Sequence, residues 1–175
     1  MGLLRELVPT AATFGFVVDP SNPNTAPEVA DIQAAANLLG HKLVILRAGT
    51  ANEIDTAFAT AISQRVDALA IPAQAFFGGR SQQLADLALR YRLPTISYTR
   101  DFTVAGGLMS YGGSLTEAFR QEGIYTARVL KGEKPADLPV QQVNRFEMVL
   151  NLKTAKALGL ELSPGLLAIA DEVIE

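Results

Sequence analysis

The 175-residue sequence predicts an α/β domain built on a doubly wound parallel sheet. Two observations carry that expectation. Short apolar runs alternate with amphipathic stretches in a βα rhythm, and the amphipathic stretches are bounded by helix start and stop residues. A hydrophobic content of 49% at this length suffices for one such core and falls short of two.

The elements follow in chain order. Residues 13–18 (TFGFVV) form a continuous apolar strand, and 25–39 carry Val29, Ile32, Ala36 and Leu39 on one helical stripe. Thr25 with Glu28 three residues on predicts a capping box, and Gly40 supplies the stop. The unit then repeats, with a strand at 42–47, a helix capped by Thr50 and Glu53 with the stripe Ile54, Phe58, Ala61 and Ile62, and a strand at 67–71. A third helix over 80–92 carries Leu84, Leu87, Ala88 and Tyr91 and leads to a strand at 94–98. Right-handed crossovers then put any ligand at the carboxyl ends of the strands.

After Tyr98 the rhythm changes. Residues 99–107 read as irregular, 108–111 as a short strand, and Ser114 with Glu117 as the start of a helix reaching about Lys131. The stretch KGEKPADLP reads as a linker, with Gly132 as helix stop and Pro135 and Pro139 as punctuation. Strands at 138–142 and 146–150 follow, then a short helix ending at Gly159 and a last one opened by Ser163 and Pro164.

Composition excludes several function classes. The net charge is −3 with 15 basic and 18 acidic residues, and no basic run exceeds a dipeptide, so there is no footprint for nucleic acid. No cysteine means no disulfide, no thiolate nucleophile and no zinc-thiolate site. No apolar run approaches the roughly 18–20 residues of a membrane span, and residues 1–9 lack the apolar core of a signal peptide. His41, the single histidine, stands beside Gly40 at a helix end, which leaves a catalytic triad or histidine metal site little to build on. The Gly-Gly pairs at 78–79, 106–107 and 112–113 form neither a dinucleotide fingerprint nor a P-loop, and no cofactor or metal is expected. Asp19 and Asp101 as a carboxylate pair lack the partner motif that phosphoryl transfer needs.

Three loops hold candidate binding groups. DPSNPN at 19–24 places Ser21, Asn22 and Asn24 before a helix N-terminus, where backbone N–H groups favour an anion; the same residues also serve any tight turn. PAQAFFGGR at 72–80 offers Gln74, Phe76 and Phe77, aromatics that stack on a ligand or plug the top of the core. Tyr98, Arg100 and Asp101 follow the fourth strand. Arg100 is the best single cation for an acidic ligand group, or else pairs locally with Asp101.

The segments AGGLMSYGGSLTEAF, VLKGEKPADLPV and FEMVLNLKTAKALGLELSP, with LLRELVP and VVDPSNPNTAPEV upstream, together resemble the substrate-binding proteins of ABC importers. The resemblance covers essentially all 175 residues and implies a type I periplasmic-binding-protein-like fold, of which this chain matches the second lobe and C-terminal segments. It implies a small-molecule ligand, amino-acid-like or a more apolar, aromatic carboxylate, held between two lobes and presented to an ABC permease, with a periplasmic or extracellular location. As it stands the chain carries no export address, which would make a complete product cytoplasmic. The apolar AQAFF departs from relatives that hold free amino acids and favours something flatter. The resemblance further implies a division into a core at 1–104, a crossover at 105–133 that packs on the first lobe, and a return at 134–175. Without that lobe, the stripe Leu115, Ala118, Phe119, Tyr125 and Val129 predicts a homodimer through 107–131. Two rivals share the fold class: the effector lobe of a transcriptional regulator, and a small flavodoxin-like enzyme.

Overall fold

The first apolar run folds as expected, because aromatic and β-branched side chains fill both of its faces. In the computed structural model, which describes residues 1–140 and 145–175, it is β1 (Thr13–Val18), preceded by α1 (Gly2–Leu7). The repeating units that follow are α2 (Thr25–Leu38), β2 (Lys42–Arg47), α3 (Ala51–Ser63) and β3 (Ala68–Ala70). Next come α4 (Ala75–Gly78), α5 (Ser81–Arg90), β4 (Thr95–Ser97), α6 (Arg100–Val104) and β5 (Met109–Gly113). The remainder is α7 (Leu115–Leu130), β6 (Phe146–Asn151), α8 (Leu152–Leu158), α9 (Pro164–Ile169) and β7 (Glu172–Ile174).

The seven strands form one sheet in the order β2-β1-β3-β4-β5-β6-β7. β1 to β5 are mutually parallel; β6 runs antiparallel to β5, and β7 lies parallel to β6. The core divides between the two faces. One layer gathers Val17, Leu46, Ile54, Phe58, Leu69, Phe77, Leu84 and Phe102 under α3 and α5. The other gathers Leu4, Phe14, Phe16, Met109, Leu150 and Leu166 under α1, α2 and α9.

Local signals are honoured where the geometry permits. Thr50 and Glu53 close a full capping box on α3: the Thr50 hydroxyl accepts from the Glu53 N–H at 3.3 Å, and the Glu53 carboxylate accepts from the Thr50 N–H at 3.0 Å. Gly40 and Gly159 stop their helices at positive φ, 71° and 74°. The box expected at Thr25 and Glu28 does not form, because Thr25 is already inside the helix. Its hydroxyl donates to the Asp19 carbonyl at 2.5 Å, while Glu28 takes a hydrogen bond from Gln74. Ser114 accepts from the Glu117 N–H at 3.4 Å, but Glu117 turns to Arg120 and Gln121 instead of back to the cap.

The helix expected over 80–92 is α5, the stretch 72–80 read as a loop contains the single turn α4, and the irregular stretch after Tyr98 contains α6. Residues 138–140 are not in a strand, and Gln141 and Gln142 of that expected strand lie outside the described residues. β5 stays in the common sheet through its ladder with β6, so residues 109–113 do not leave it as the expected crossover would require. None of the 16 residues of α7 is buried.

Candidate functional site

Because β1, β3, β4 and β5 are parallel, the loops at 19–24, 71–74, 98–99 and the end of β5 all emerge on one edge of the sheet. The first loop is held by its own side chains. Asp19 is buried, and one of its carboxylate oxygens accepts from the Ser21 N–H at 2.8 Å and the Ser21 hydroxyl at 2.7 Å. The Asn22 side-chain carbonyl accepts from the Asn24 N–H at 2.9 Å.

Gln74 ties the second loop to the first. Its carbonyl accepts from the Asp19 N–H at 3.3 Å, and its amide donates to the Glu28 carboxylate at 2.7 Å. Only 2% exposed and fully engaged, Gln74 stands as a brace between loops instead of a free ligand group. Phe77 is 1% exposed and belongs to the core, whereas Phe76 is half-buried, edge-to-face on Phe77 at 5.0 Å, with the Arg80 guanidinium 4.2 Å above its ring. Of the adjacent aromatics, one is a plug and one lies partly open.

The third loop lines a recess. Tyr98 donates from its phenol to the Gln74 carbonyl at 3.4 Å; burial raises the pKa of that phenol, and nearby Asp101 adds to the rise. Thr99 caps α6 by accepting from the Asp101 N–H at 3.3 Å. Arg100 is not paired with Asp101. Its guanidinium makes a bidentate contact with Glu172 of β7, at 2.6 and 2.8 Å, so this cation is committed to a protein carboxylate. Asp19 accepts from Ser21 in the first loop while Asp101 lies in the first turn of α6, and the two share no hydrogen-bond partner among the described residues. Tyr98, Thr99, Arg100 and Asp101, with Ser110, Gly112, Gly113, Leu115, Thr116 and Glu147, enclose a pocket of 160 Å³. Gly112 is required at its wall: a Cβ there would stand 2.0 Å from the Tyr98 carbonyl oxygen. Two wider hollows of 580 and 610 Å³ open beside Met1 and Gly2 on the α1 face, lined mostly by apolar side chains.

Ser110, Gly112 and Glu147 were not singled out by sequence reasoning. Gly112 was visible as half of a Gly-Gly pair, but Glu147 reaches the site only because β6 pairs antiparallel to β5 with Gly112 opposite Glu147. Among the described residues, no group of three His, Cys, Asp or Glu side chains is placed to hold a metal, and no helix is long and apolar enough to cross a membrane.

Residues 1–174 match the family described as ABC transporter substrate binding protein. The chain belongs to that family. A tyrosine-binding protein of Clostridioides difficile is 22% identical over 159 residues, which is 91% of this chain and 46% of that protein. The ABC domain of Streptococcus pneumonia, solved in complex with L-Trp, superposes with a TM-score of 0.86 at 26% identity, over 99% of this chain and 60% of that one. A conserved domain protein of Vibrio cholerae gives a TM-score of 0.87 at 23% identity, over 98% of this chain and 58% of that one. This family member thus spans about half the length of the curated relative it matches. Its sheet, mostly parallel with helices on both faces, is the periplasmic-binding-protein-like fold of these neighbours.

Proposed function

We propose that this chain forms one wall of the solute-binding cleft of an ABC importer's substrate-binding protein. It takes a small amino-acid-like molecule, or a more apolar aromatic carboxylate, at the carboxyl ends of its strands. The observation that carries the reading is the family match over residues 1–174, joined to the convergence of three loops on one sheet edge. A relative of known structure holding L-Trp supports an amino-acid-like ligand, and the half-open Phe76 supports an aromatic one. Ser21, Asn22, Asn24, Phe76, Tyr98, Arg100 and Asp101 are the contact residues of this proposal, with Gln74 and Phe77 bracing them from below.

The work is binding and not bond-making: the solute is enclosed, the lobes close about a hinge, and a permease receives it outside the cytoplasmic membrane. The same proposal divides the chain into a core at 1–104, a crossover at 105–133 and a return at 134–175. It also includes a second copy packed on α7, whose apolar side chains Leu115 and Phe119 are exposed.

One wall leaves a ligand half solvated, so the 175-residue chain binds weakly. Titration calorimetry with L-tryptophan and L-tyrosine is expected to give dissociation constants far above micromolar. A sub-micromolar constant for the monomer contradicts the one-wall reading.

A further inference from the structure

Gln74 touches all three loops of the site. Its backbone carbonyl takes the Tyr98 phenol at 3.4 Å, and its side chain reaches from the second loop to the first loop and α2. The two groups at the ends of that side chain cannot exchange roles. The Asp19 N–H, at 3.3 Å, only donates, and the Glu28 carboxylate, at 2.7 Å, only accepts. A side chain placed between them must therefore carry one acceptor and one donor, and a carboxamide supplies both.

The acceptor end completes the first loop. The Asp19 carboxylate already takes the Ser21 N–H and hydroxyl, and the Asp19 carbonyl takes the Thr25 hydroxyl at 2.5 Å, so the Asp19 N–H is the group that the first loop itself leaves over. Asp19 is 8% exposed, and a buried N–H without a partner is costly. Gln74 thus fixes the residue on which Ser21 folds back. The donor end is fixed in turn by Glu28, in the first turn of α2, with the Thr25 hydroxyl 3.4 Å away. Because Gln74 is 2% exposed, it acts on the loop from behind.

We propose that Gln74 and Glu28 are a positioning pair, whose matched donor and acceptor set the first loop for the solute. The inference rests on the solute-binding reading above and deepens it, since it makes the polarity of a buried contact behind the loop a determinant of affinity at the loop.

The test exchanges the two side chains. Gln74→Glu offers Glu28 no donor and sets two carboxylates side by side. In the Gln74→Glu, Glu28→Gln double variant the polarity is reversed but matched again: the new amide donates to the new carboxylate, whose other oxygen still accepts from the Asp19 N–H. Amide-detected NMR of the 175-residue protein, titrated with L-tryptophan, reads both loop and affinity. Gln74→Glu should shift the amides of Asp19, Ser21 and Asn22 and weaken L-tryptophan by about tenfold, leaving the amides of α3 and α5 in place, and the double variant should restore both the shifts and the affinity. Glu28→Ala, which removes only the acceptor, should move the same loop amides in the event that Gln74→Glu does not fold. If Gln74→Glu keeps full affinity, or if the double variant folds and binds no better than the single one, the positioning pair is wrong while solute binding stands. If the wild-type protein does not bind L-tryptophan at millimolar concentration, the solute-binding reading falls and takes the positioning role with it.

Discussion

Arg100 has Asp101 beside it in sequence and Glu172 beside it in space, and the second neighbour wins because a bidentate geometry is available only there. The hydrogen bond from Arg100 holds the Glu172 carboxyl below its ordinary pKa. A carboxyl depressed in the folded state stabilises the fold above its unfolded value and loses that contribution as the pH falls through its folded value. Both side chains are about half exposed, so the effect stays under about 1 kcal/mol. Arg100→Ala is expected to return the Glu172 midpoint, followed by carboxyl NMR, to the ordinary range near 4.3 and to flatten slightly the acid limb of the stability curve. An unmoved midpoint would mean the pair is not kept in solution. Thr50 offers a cleaner stability test. Its hydroxyl accepts from the Glu53 N–H, one of the helix donors without an intrahelical partner, so Thr50→Ala should lower stability by about 1 kcal/mol, read as a fall of several degrees in Tm.

The helices differ in what holds them. α3 buries Ile54, Ala57, Phe58 and Ala61, and Phe58 stacks on Tyr91 beyond α5 with ring centroids 6.4 Å apart. Phe58→Ala should therefore cost about 3–5 kcal/mol in chemical denaturation; a loss under 1 kcal/mol would contradict the packing. α7 has good local chemistry, a Ser114 cap and a Glu117–Arg120 pair, yet buries nothing. Helices gain most of their stability from a packed face, so the amides of α7 should exchange with deuterium faster than those of α3 and α5. The same contrast explains what the sequence made legible. β1, β2, α2, α3 and α5 could be read because each apolar run or stripe is long enough to show its period, and the short strands β3 and β4 because each sits in an apolar run between two helices. α4, α6 and β7 could not, since three to five residues are too few for periodicity. The edge of the site was readable from the parallel rhythm alone. Its contents were not: the Arg100 partner lies 72 residues away, and Glu147 is brought in by an antiparallel pairing that nothing local announces.

For the molecule as a whole, the decisive question is what covers α7. Leu115, Phe119, Val129 and Leu130 are all exposed on it, Phe119 by 66% and Leu130 by 81%. Burying a few hundred Å² of such surface is worth about 5–10 kcal/mol at 25 cal/mol per Å², enough to offset part of the entropy lost on association. A two-fold arrangement uses one surface twice, so each α7 covers the other without a second complementary patch having to exist. Static light scattering at tens of micromolar should then give about twice the 18.7 kDa chain mass. Phe119→Glu, at a position already open to water, should leave the far-ultraviolet circular dichroism unchanged and return the mass to that of one chain. A wild-type protein that stays monomeric under those conditions would overturn the dimer.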